Sequence, residues 1–491
     1  MKKLRKLLSV ALALCLLVSL TSVLAAPASG STLKAGAGIA VMEFSPEILR
    51  AAVYRGNDGF SGETHDPLHA RALALDDGES RVVIVSLEML IVPAVMSRLK
   101  AGVAEIAGIP EDNVWINCTH VITSPHDSGK VEDGGNADLN AEYQQVIIEA
   151  TKAAAADAVA NLESATMSIG TATLDINANR NIETPEGVEP SNTHYGMDKN
   201  GDHDTTMTLL RFDDADGNPI SVFMSYAIKP TALDNAGQKA AERVVSSDVP
   251  GYACNMVEAE LDGAVCLFGL PAAADQVPEK TALYWDFAQS TEAATDFGVE
   301  YGLQIVEELG TKMGSKAIEL ANGKLTKLEN TEITVAATKF ATTKTDGSAT
   351  DIAISGMAIG DVALVGYGPE LNNATGKQVI AASPYEYTLM LAFTNGHGDY
   401  MPNAAAFEYQ NGRGTFETSR NGYEKGAAEK FVAAAGEMLK DMKGAAEPAN
   451  PDVPETGDSG QIALWMVLMI AAALGVGVLV ISRKSRFLKR G

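Results

Sequence analysis

Three of the seven histidines in this chain lie where an imidazole could bind a metal ion or move a proton. His120 ends an apolar run and opens the segment T-H-V-I-T-S-P-H, in which His126 follows six residues later. His397 stands in T-N-G-H-G-D-Y-M-P, between two glycines that let the backbone turn closely. A histidine at the end of a strand can also be a hydrogen-bonded structural residue, and a turn alone would explain the glycines, so both interpretations stay open.

The elements around His120 follow a strand, helix, strand pattern. Residues 81–91 form a β-branched run apolar enough for a strand buried on both faces, and a helical pattern extends from Pro93 to about Ala107. Strand character returns in 113–120. The order predicts a βαβ unit with His120 at the end of its second strand.

A second unit with the same order of strand, helix and strand follows. The strands are predicted at 220–228 and 264–270, and the helix over about 251–261 is introduced by Ser247, Asp248 and Pro250. Loops that leave the carboxyl ends of such strands build the functional site. We therefore expect the loop from His120, the loop from Lys229 and the turn 271–279 to converge.

The rest of the chain predicts a mixed α/β fold in one large domain over 33–443. A mostly helical region is expected over 283–320, with breaks near Gly310 and Gly314, and antiparallel strands over 325–340 and 352–367. A last helix is expected over 425–442. No internal repeat is visible in the sequence.

Both ends of the chain predict export. Lysines and an arginine precede an apolar run that ends in small residues near Ala26, which is the layout of a removable signal peptide over 1–26. Near the other end, an apolar stretch over 462–481 is about long enough to cross a bilayer, and basic residues follow it. Residues 444–452 predict a short stalk.

The segment before that stretch resembles the sorting signal of Gram-positive wall proteins, with valine in place of the usual first leucine. It consists of Val453, Pro454, Glu455, Thr456 and Gly457. The resemblance implies that sortase cleaves after Thr456 and joins the chain to peptidoglycan, so we expect a protein of the cell wall and cell surface. An ordinary single-pass membrane anchor is the alternative for 453–491.

Charge and cysteine content exclude two classes. Without its two terminal signals the chain would keep 29 basic and 62 acidic residues, a net charge of about −33. Such a surface argues against nucleic acid or anionic lipid as a partner. Of the four cysteines Cys15 would leave with the signal peptide, and three cannot build a disulfide framework. An ordinary apolar core must hold the fold.

An ordered series of short motifs extends from about Gly38 to Lys443 and resembles the N-terminal domain of the neutral/alkaline, non-lysosomal ceramidases. No single motif is specific, but their order and spacing are. They read G-I-A-V-M-E-F-S-P (38–46), D-P-L-H-A-R-A-L (66–73), T-H-V-I-T-S-P (119–125), L-L-R-F-D-D-A-D-G-N-P-I (209–220), D-V-P-G-Y (248–252), A-A-A-D-Q-V-P (272–278), G-P-E-L (368–371) and Y-M-P-N (400–403).

In that family two histidines, a glutamate and a tyrosine hold a zinc ion, and a zinc-bound water cleaves the amide of an N-acyl sphingoid base. The resemblance implies that His120, Glu370 and Tyr400 are zinc ligands. The fourth ligand position, a histidine before a proline in the family, is Lys229 here. An ammonium opposes zinc, and the lysine could pair with Glu370, lose its proton and bind the metal, or point outward to solvent.

Further departures concern the catalytic serine of the family, whose place is taken by Val277, and the family's C-terminal immunoglobulin-like domain, whose place is taken by the stalk. Asp275 and Gln276 precede Val277 and could bind substrate or merely shape a turn. His126, Lys229, Asp275 and Gln276 are the candidate catalytic residues.

The resemblance thus implies a surface hydrolase that cleaves an amide bond in an N-acyl sphingoid or other lipid-like substrate, with zinc as cofactor. Lys229 and Val277 favour a second hypothesis, a metal-free and inactive binding module on the same fold. A third is a related hydrolase with a different nucleophile.

Overall fold

The computed structural model describes residues 33–52, 59–126, 137–182, 196–234, 236, 240–285 and 294–446. The strands within these ranges are β1 (Lys34–Met42), β2 (Leu68–Asp76), β3 (Arg81–Leu87), β4 (Val114–Cys118), β5 (Glu163–Ser164), β6 (Thr166–Thr173), β7 (Asn177–Asn179), β8 (Thr206–Asp213), β9 (Pro219–Ser225), β10 (Val265–Gly269), β11 (Gln276–Pro278), β12 (Leu283–Trp285), β13 (Ala294–Asp296), β14 (Thr326–Leu328), β15 (Ile333–Thr343), β16 (Ala349–Ile359), β17 (Val362–Tyr367) and β18 (Tyr387–Leu391).

The α-helices are α1 (Pro46–Ala51), α2 (Met96–Ala107), α3 (Ala137–Ala160), α4 (Asp248–Glu260), α5 (Gly298–Ala321), α6 (Asn373–Ala382), α7 (Ala404–Phe407), α8 (Tyr409–Gly412), α9 (Phe416–Ser419) and α10 (Ala427–Ala446). The chain divides into two units, Met1–Met442 and Lys443–Gly491. The sorting motif and the predicted apolar span 462–481 lie in the second unit, and the predicted signal peptide lies in the first. All three are outside the described residues.

One arrangement of elements occurs three times in the first unit. In each case two antiparallel pairings join three successive sheet strands, and a helix then crosses over to a fourth strand parallel to the third. The first copy runs through β1, β2, β3, α2 and β4. The second uses β6, β8, β9, α4 and β10, and the third uses β15, β16, β17, α6 and β18.

The three sheets share a core. Buried side chains of all three meet in one cluster that includes Trp115, Phe223 and Leu364. A second cluster joins the opposite faces of the sheets to the helices, for example through Val85, Leu99 and Phe431. Apolar side chains on both faces explain why the parallel strands are almost continuously hydrophobic.

The mixed α/β fold and both predicted βαβ units are confirmed, because β3 pairs with β4 and β9 with β10 in parallel. The prediction for 283–320 is wrong in part. Residues Leu283–Trp285 and Ala294–Asp296 pair as β12 and β13, and α5 then continues without a break through Gly310 and Gly314. A Cβ on Gly310 would lie 2.6 Å from Cδ1 of Tyr252, so the glycine permits close packing against α4 instead of ending the helix.

Among the described residues, no helix has the length and apolar character needed to cross a membrane.

Candidate functional site

The site forms where third and fourth strands of the repeated arrangement end. His120 follows β4, Lys229 follows β9, and Glu370 follows β17. Backbone bonds hold the loops together: the Ile122 amide donates to the Pro230 carbonyl at 3.4 Å, and the Lys229 amide donates to the Gln276 carbonyl at 3.1 Å. The three loops expected to converge therefore lie side by side.

Lys229 is the centre of the cluster. Its side chain is buried, with 3% of the residue exposed, and Nζ donates to Glu370 Oε2 at 2.5 Å and to the Tyr400 hydroxyl at 3.1 Å. Glu370 and Tyr400 are themselves neighbours, since they form a parallel β-bridge in which the Met401 amide donates to the Glu370 carbonyl. Of the alternatives for Lys229, the structure shows the ion pair with Glu370.

His120 completes the cluster from the other side. Its Nε2 lies 3.8 Å from Glu370 Oε1, and its Nδ1 lies 3.3 Å from the Leu90 carbonyl oxygen. A carbonyl can only accept, so Nδ1 carries the proton and a neutral ring leaves Nε2 as an acceptor. The ring stacks on Phe393 with centroids 3.9 Å apart. Both residues have positive φ, 67° and 54°, a conformation that is costly without glycine and is concentrated at functional sites.

Charge pairing fixes the protonation of these groups. Burial alone would lower the pKa of Lys229, but Glu370 and Tyr400 together outweigh it and the net pKa is raised. Burial alone would raise the pKa of Glu370, but Lys229 and then His120 lower it. Burial, followed by the charge of Lys229, lowers the pKa of His120 to about 3. At neutral pH the cluster thus holds an ammonium, a carboxylate and a neutral imidazole.

Arg180 belongs to the site and was missed in the sequence. Its Nη1 donates to the Tyr400 hydroxyl at 3.2 Å, its guanidinium lies 4.3 Å from the Phe416 ring centroid, and Glu417 is 3.7 Å away. The residue follows the three-residue strand β7, which is too short to produce a periodic pattern. Its sequence context, N-A-N-R, matches none of the motifs that carry the family resemblance.

The other candidates lie nearby with bonds of their own. His126 Nε2 contacts the Ile122 carbonyl oxygen at 3.0 Å. Gln276 Oε1 accepts from the Asp204 amide at 3.0 Å, and its Nε2 donates to the Asp202 carbonyl at 3.2 Å. The His126 contact stays within its own loop, whereas the bonds of Gln276 direct its amide to the loop 202–204.

Asp275 is buried behind Arg180, whose backbone amide donates to the Asp275 carbonyl at 2.9 Å. The carboxylate accepts from the Asn373 amide at 2.8 Å and from Asn179 Nδ2 at 3.3 Å. Burial, then the charge of Glu417, raises the pKa of Asp275 to about 6. His397, the third histidine considered, is exposed.

Val277, which stands at the family's serine position, is buried and lines a pocket with Met197, Thr231 and Leu283. Thr231 is two residues from Lys229, so this pocket adjoins the loop that carries the ammonium. Its lining is mostly apolar and offers no hydroxyl at position 277.

The residues present do not fit a zinc ion of the kind that the family implies. The Glu370 carboxylate and the Tyr400 hydroxyl, two of the three candidate ligands, both accept hydrogen bonds from the ammonium of Lys229. A protonated amine has no lone pair for a metal, and its charge repels a dication. Within the described ranges, no group of three or more His, Cys, Asp or Glu side chains could hold a metal ion.

Comparison with known proteins agrees with this picture of the fold. The model of the family described as neutral/alkaline non-lysosomal ceramidase, N-terminal, matches residues 61–295. The match supports that family for this part of the chain. It includes His120 and Lys229, whereas Glu370 and Tyr400 lie beyond it. None of the curated proteins matches the sequence.

Two solved structures of ceramidases are similar. The neutral ceramidase from Pseudomonas aeruginosa shares 17% sequence identity at a TM-score of 0.61, with 84% of this chain and 75% of that chain covered. A ceramidase described as complexed with C2 has the same identity and coverage at a TM-score of 0.62. At this identity the similarity establishes the fold, which this chain shares with them.

Proposed function

We propose that this protein is a ceramidase-type hydrolase that cleaves the amide bond of an N-acyl, lipid-like substrate at the cluster of Lys229, Glu370, Tyr400, His120 and Arg180. The observation that carries the proposal is that the buried ammonium of Lys229 and the imidazole of His120 approach the two oxygens of one carboxylate, that of Glu370. The family match over 61–295 supports the reaction class. The similarity to a ceramidase described as complexed with C2 supports a lipid-like substrate.

The ammonium would polarise the scissile carbonyl. Nζ of Lys229 has three N–H groups, and its hydrogen-bond partners among the described residues are Glu370 and Tyr400, which leaves one N–H for a ligand oxygen. Arg180 lies on the far side of the Tyr400 hydroxyl and adds positive charge. Donors fixed in a buried site stabilise the negative charge that develops on the carbonyl oxygen.

Water would be the nucleophile. His120 Nε2 and Glu370 Oε1 are both acceptors and lie 3.8 Å apart, so one water molecule could donate to both. As its oxygen bonds to the carbonyl carbon, His120 takes one proton and passes it to the nitrogen as the C–N bond breaks. The products are a fatty acid and an amine, and no further reactant is needed.

The test is release of fatty acid from an N-acyl sphingoid base by residues 27–452, with a chelator present. We expect the wild type to release fatty acid, and the rate of release to fall by at least about 100-fold in Lys229→Met and in His120→Ala. The surface control Lys339→Met should release fatty acid at the rate of the wild type. No release from any chain length by folded wild type would overturn the proposal.

Binding without hydrolysis is the second candidate, and the ion pair itself favours it. Glu370 is held by Lys229, and an imidazole with a pKa of about 3 is a weak base at neutral pH. In that case the protein would bind the same N-acyl sphingoid base, offered in micelles, and leave it chemically unchanged. Equilibrium binding beside the product assay separates the two functions.

The sorting motif supports a further proposal on location, that sortase joins the chain to peptidoglycan through Thr456. The full-length protein should resist extraction by detergent and be released by digestion of the wall. Thr456→Ala should become extractable by detergent. Wall attachment that persists in this variant would contradict the proposal.

A further inference from the structure

We propose that the ammonium of Lys229 takes the place of a metal ion, so that the cluster is complete without zinc and a single substitution, Lys229→His, converts it into a zinc site. The inference concerns the same cluster as the proposed function. It does not depend on hydrolysis, since its test needs no substrate.

The positions of the donor atoms carry the argument. Nζ lies 2.5 Å from Glu370 Oε2 and 3.1 Å from the Tyr400 hydroxyl, and His120 Nε2 lies 3.8 Å from the second oxygen of the same carboxylate. A zinc ion bound by these three residues would lie about 2 Å from each donor atom. It would therefore overlap the volume that Nζ fills, and the two cations exclude each other.

The ammonium also performs the electrostatic task of a metal. It neutralises a carboxylate that is largely buried and fixes the Tyr400 hydroxyl through a hydrogen bond. A buried carboxylate without a cation would be costly. This explains how the Glu370 carboxylate can stay largely buried in a chain that lacks the fourth ligand.

A histidine at position 229 would have the right reach. The backbone there is held on both sides, because the Lys229 amide donates to Gln276 and the Lys229 carbonyl accepts from the Thr231 amide at 2.8 Å. The imidazole nitrogen of a histidine ends about 2 Å closer to its own Cα than a lysine Nζ does, and that difference is close to a zinc–nitrogen bond. Exchange of the side chain would thus leave room for the metal and supply its fourth ligand.

The experiment is calorimetric titration of zinc into residues 27–452, with metal analysis after dialysis. We expect no stoichiometric zinc in the wild type. Lys229→His should bind one zinc per chain at least tenfold more tightly, a gain of about 1.4 kcal/mol. Lys229→Met, which removes the ammonium without adding a ligand, should gain less, and the double variant Lys229→His, His120→Ala should lose the gain.

Two results would overturn the inference. One is tight binding of one zinc by the wild type that disappears in His120→Ala. The other is no gain in Lys229→His although circular dichroism and thermal unfolding show an intact fold. If the wild type releases no fatty acid, the hydrolase proposal is wrong, but the inference about zinc is unaffected.

Discussion

The third strand of each repeated arrangement leads into a charged residue, and the three residues differ in their partners. Glu88 follows β3 and pairs with Arg71 in the core. Lys229 follows β9, Glu370 follows β17, and these two pair with each other. Comparison of the Arg71 network with the Lys229 cluster shows how the same topology can produce a structural ion pair in one place and a candidate active site in another.

The Arg71 network is closed by its own members. The guanidinium, in a residue only 2% exposed, donates to Glu88 at 2.5 Å, to Glu258 at 2.7 Å and to Asn255 at 2.6 Å. The second oxygen of Glu88 accepts from the His69 amide at 2.7 Å. Each nitrogen of the guanidinium and each oxygen of the Glu88 carboxylate has a partner within the network.

The segments that lead into the Lys229 cluster keep unsatisfied polar groups. Buried atoms without a hydrogen-bond partner in the described structure lie on the segments that lead into it, among them Asn117 Oδ1, Thr119 Oγ1 and the Tyr367 hydroxyl. Unsatisfied groups and strained backbone cost stability, and such costs are typical of functional sites. The comparison therefore separates the two regions by satisfaction of hydrogen bonds, since burial and ion pairing are common to both.

The largest effect should come from Arg71→Met. The substitution leaves the carboxylates of Glu88 and Glu258 without their cation in the core, and breaking a buried pair in this way costs about 3–5 kcal/mol. Urea unfolding of residues 27–452 measures the loss. Lys339→Met breaks an exposed pair with Asp351 and should stay close to the wild type.

If Arg71→Met loses less than about 1 kcal/mol, the network would be no more important than a surface pair, and the distinction between the two regions would fail.

The next effect concerns Asp248, because α4 joins the two regions. This helix carries Asn255 and Glu258 of the network, and it begins at Asp248, whose carboxylate accepts from the amides of Ala232 and Leu233 in the loop after Lys229. Burial raises the pKa of Asp248 to about 7 from the ordinary 3.8. The folded state therefore binds a proton that the unfolded state releases between these values.

That contribution to stability is present in full below about pH 4 and is lost as pH rises through 7. The asparagine side chain of Asp248→Asn does not titrate, so the variant lacks this pH dependence. The unfolding free energy of the wild type should therefore fall relative to the variant by roughly 3 kcal/mol between pH 4 and 7. Chemical unfolding across this range measures the difference, with Asp262→Asn as the surface control. Parallel curves for wild type and Asp248→Asn would show that the carboxyl titrates normally.

Local patterns in the sequence predicted both βαβ units and the loops that meet at the site. These elements are recognisable because β-branched runs, helix starts and strand ends are signals confined to a few neighbouring residues. The helix break expected near Gly310 was wrong because local patterns do not show that this glycine makes room for Tyr252 on another helix.

Two other features could not be predicted from local sequence patterns. The threefold arrangement is a property of strand pairing, and its three copies differ in loops and in side chains, so no repeat shows in the sequence. Arg180 reaches Tyr400 across 220 residues from a strand of three residues. The position of Lys229 was expected from the family resemblance, but only the structure distinguishes an ion pair with Glu370 from a side chain in solvent.

The smallest effect tests whether the charge of Lys229 controls the pKa of a neighbouring group in its cluster. Burial first, and then the charge of Lys229, lower the pKa of His120, whereas Glu370 acts in the opposite sense. In Lys229→Met the burial remains, but the charge of Lys229 is gone and Glu370 is freed from its partner, so the pKa of His120 should rise from about 3 by roughly one unit or more. Titration of the His120 ring protons by NMR measures the shift, with the exposed His397 as a reference in the same spectrum. An unchanged His120 titration in a folded variant would mean that the ammonium does not control the imidazole, and the cluster would then be a second structural ion pair like that of Arg71.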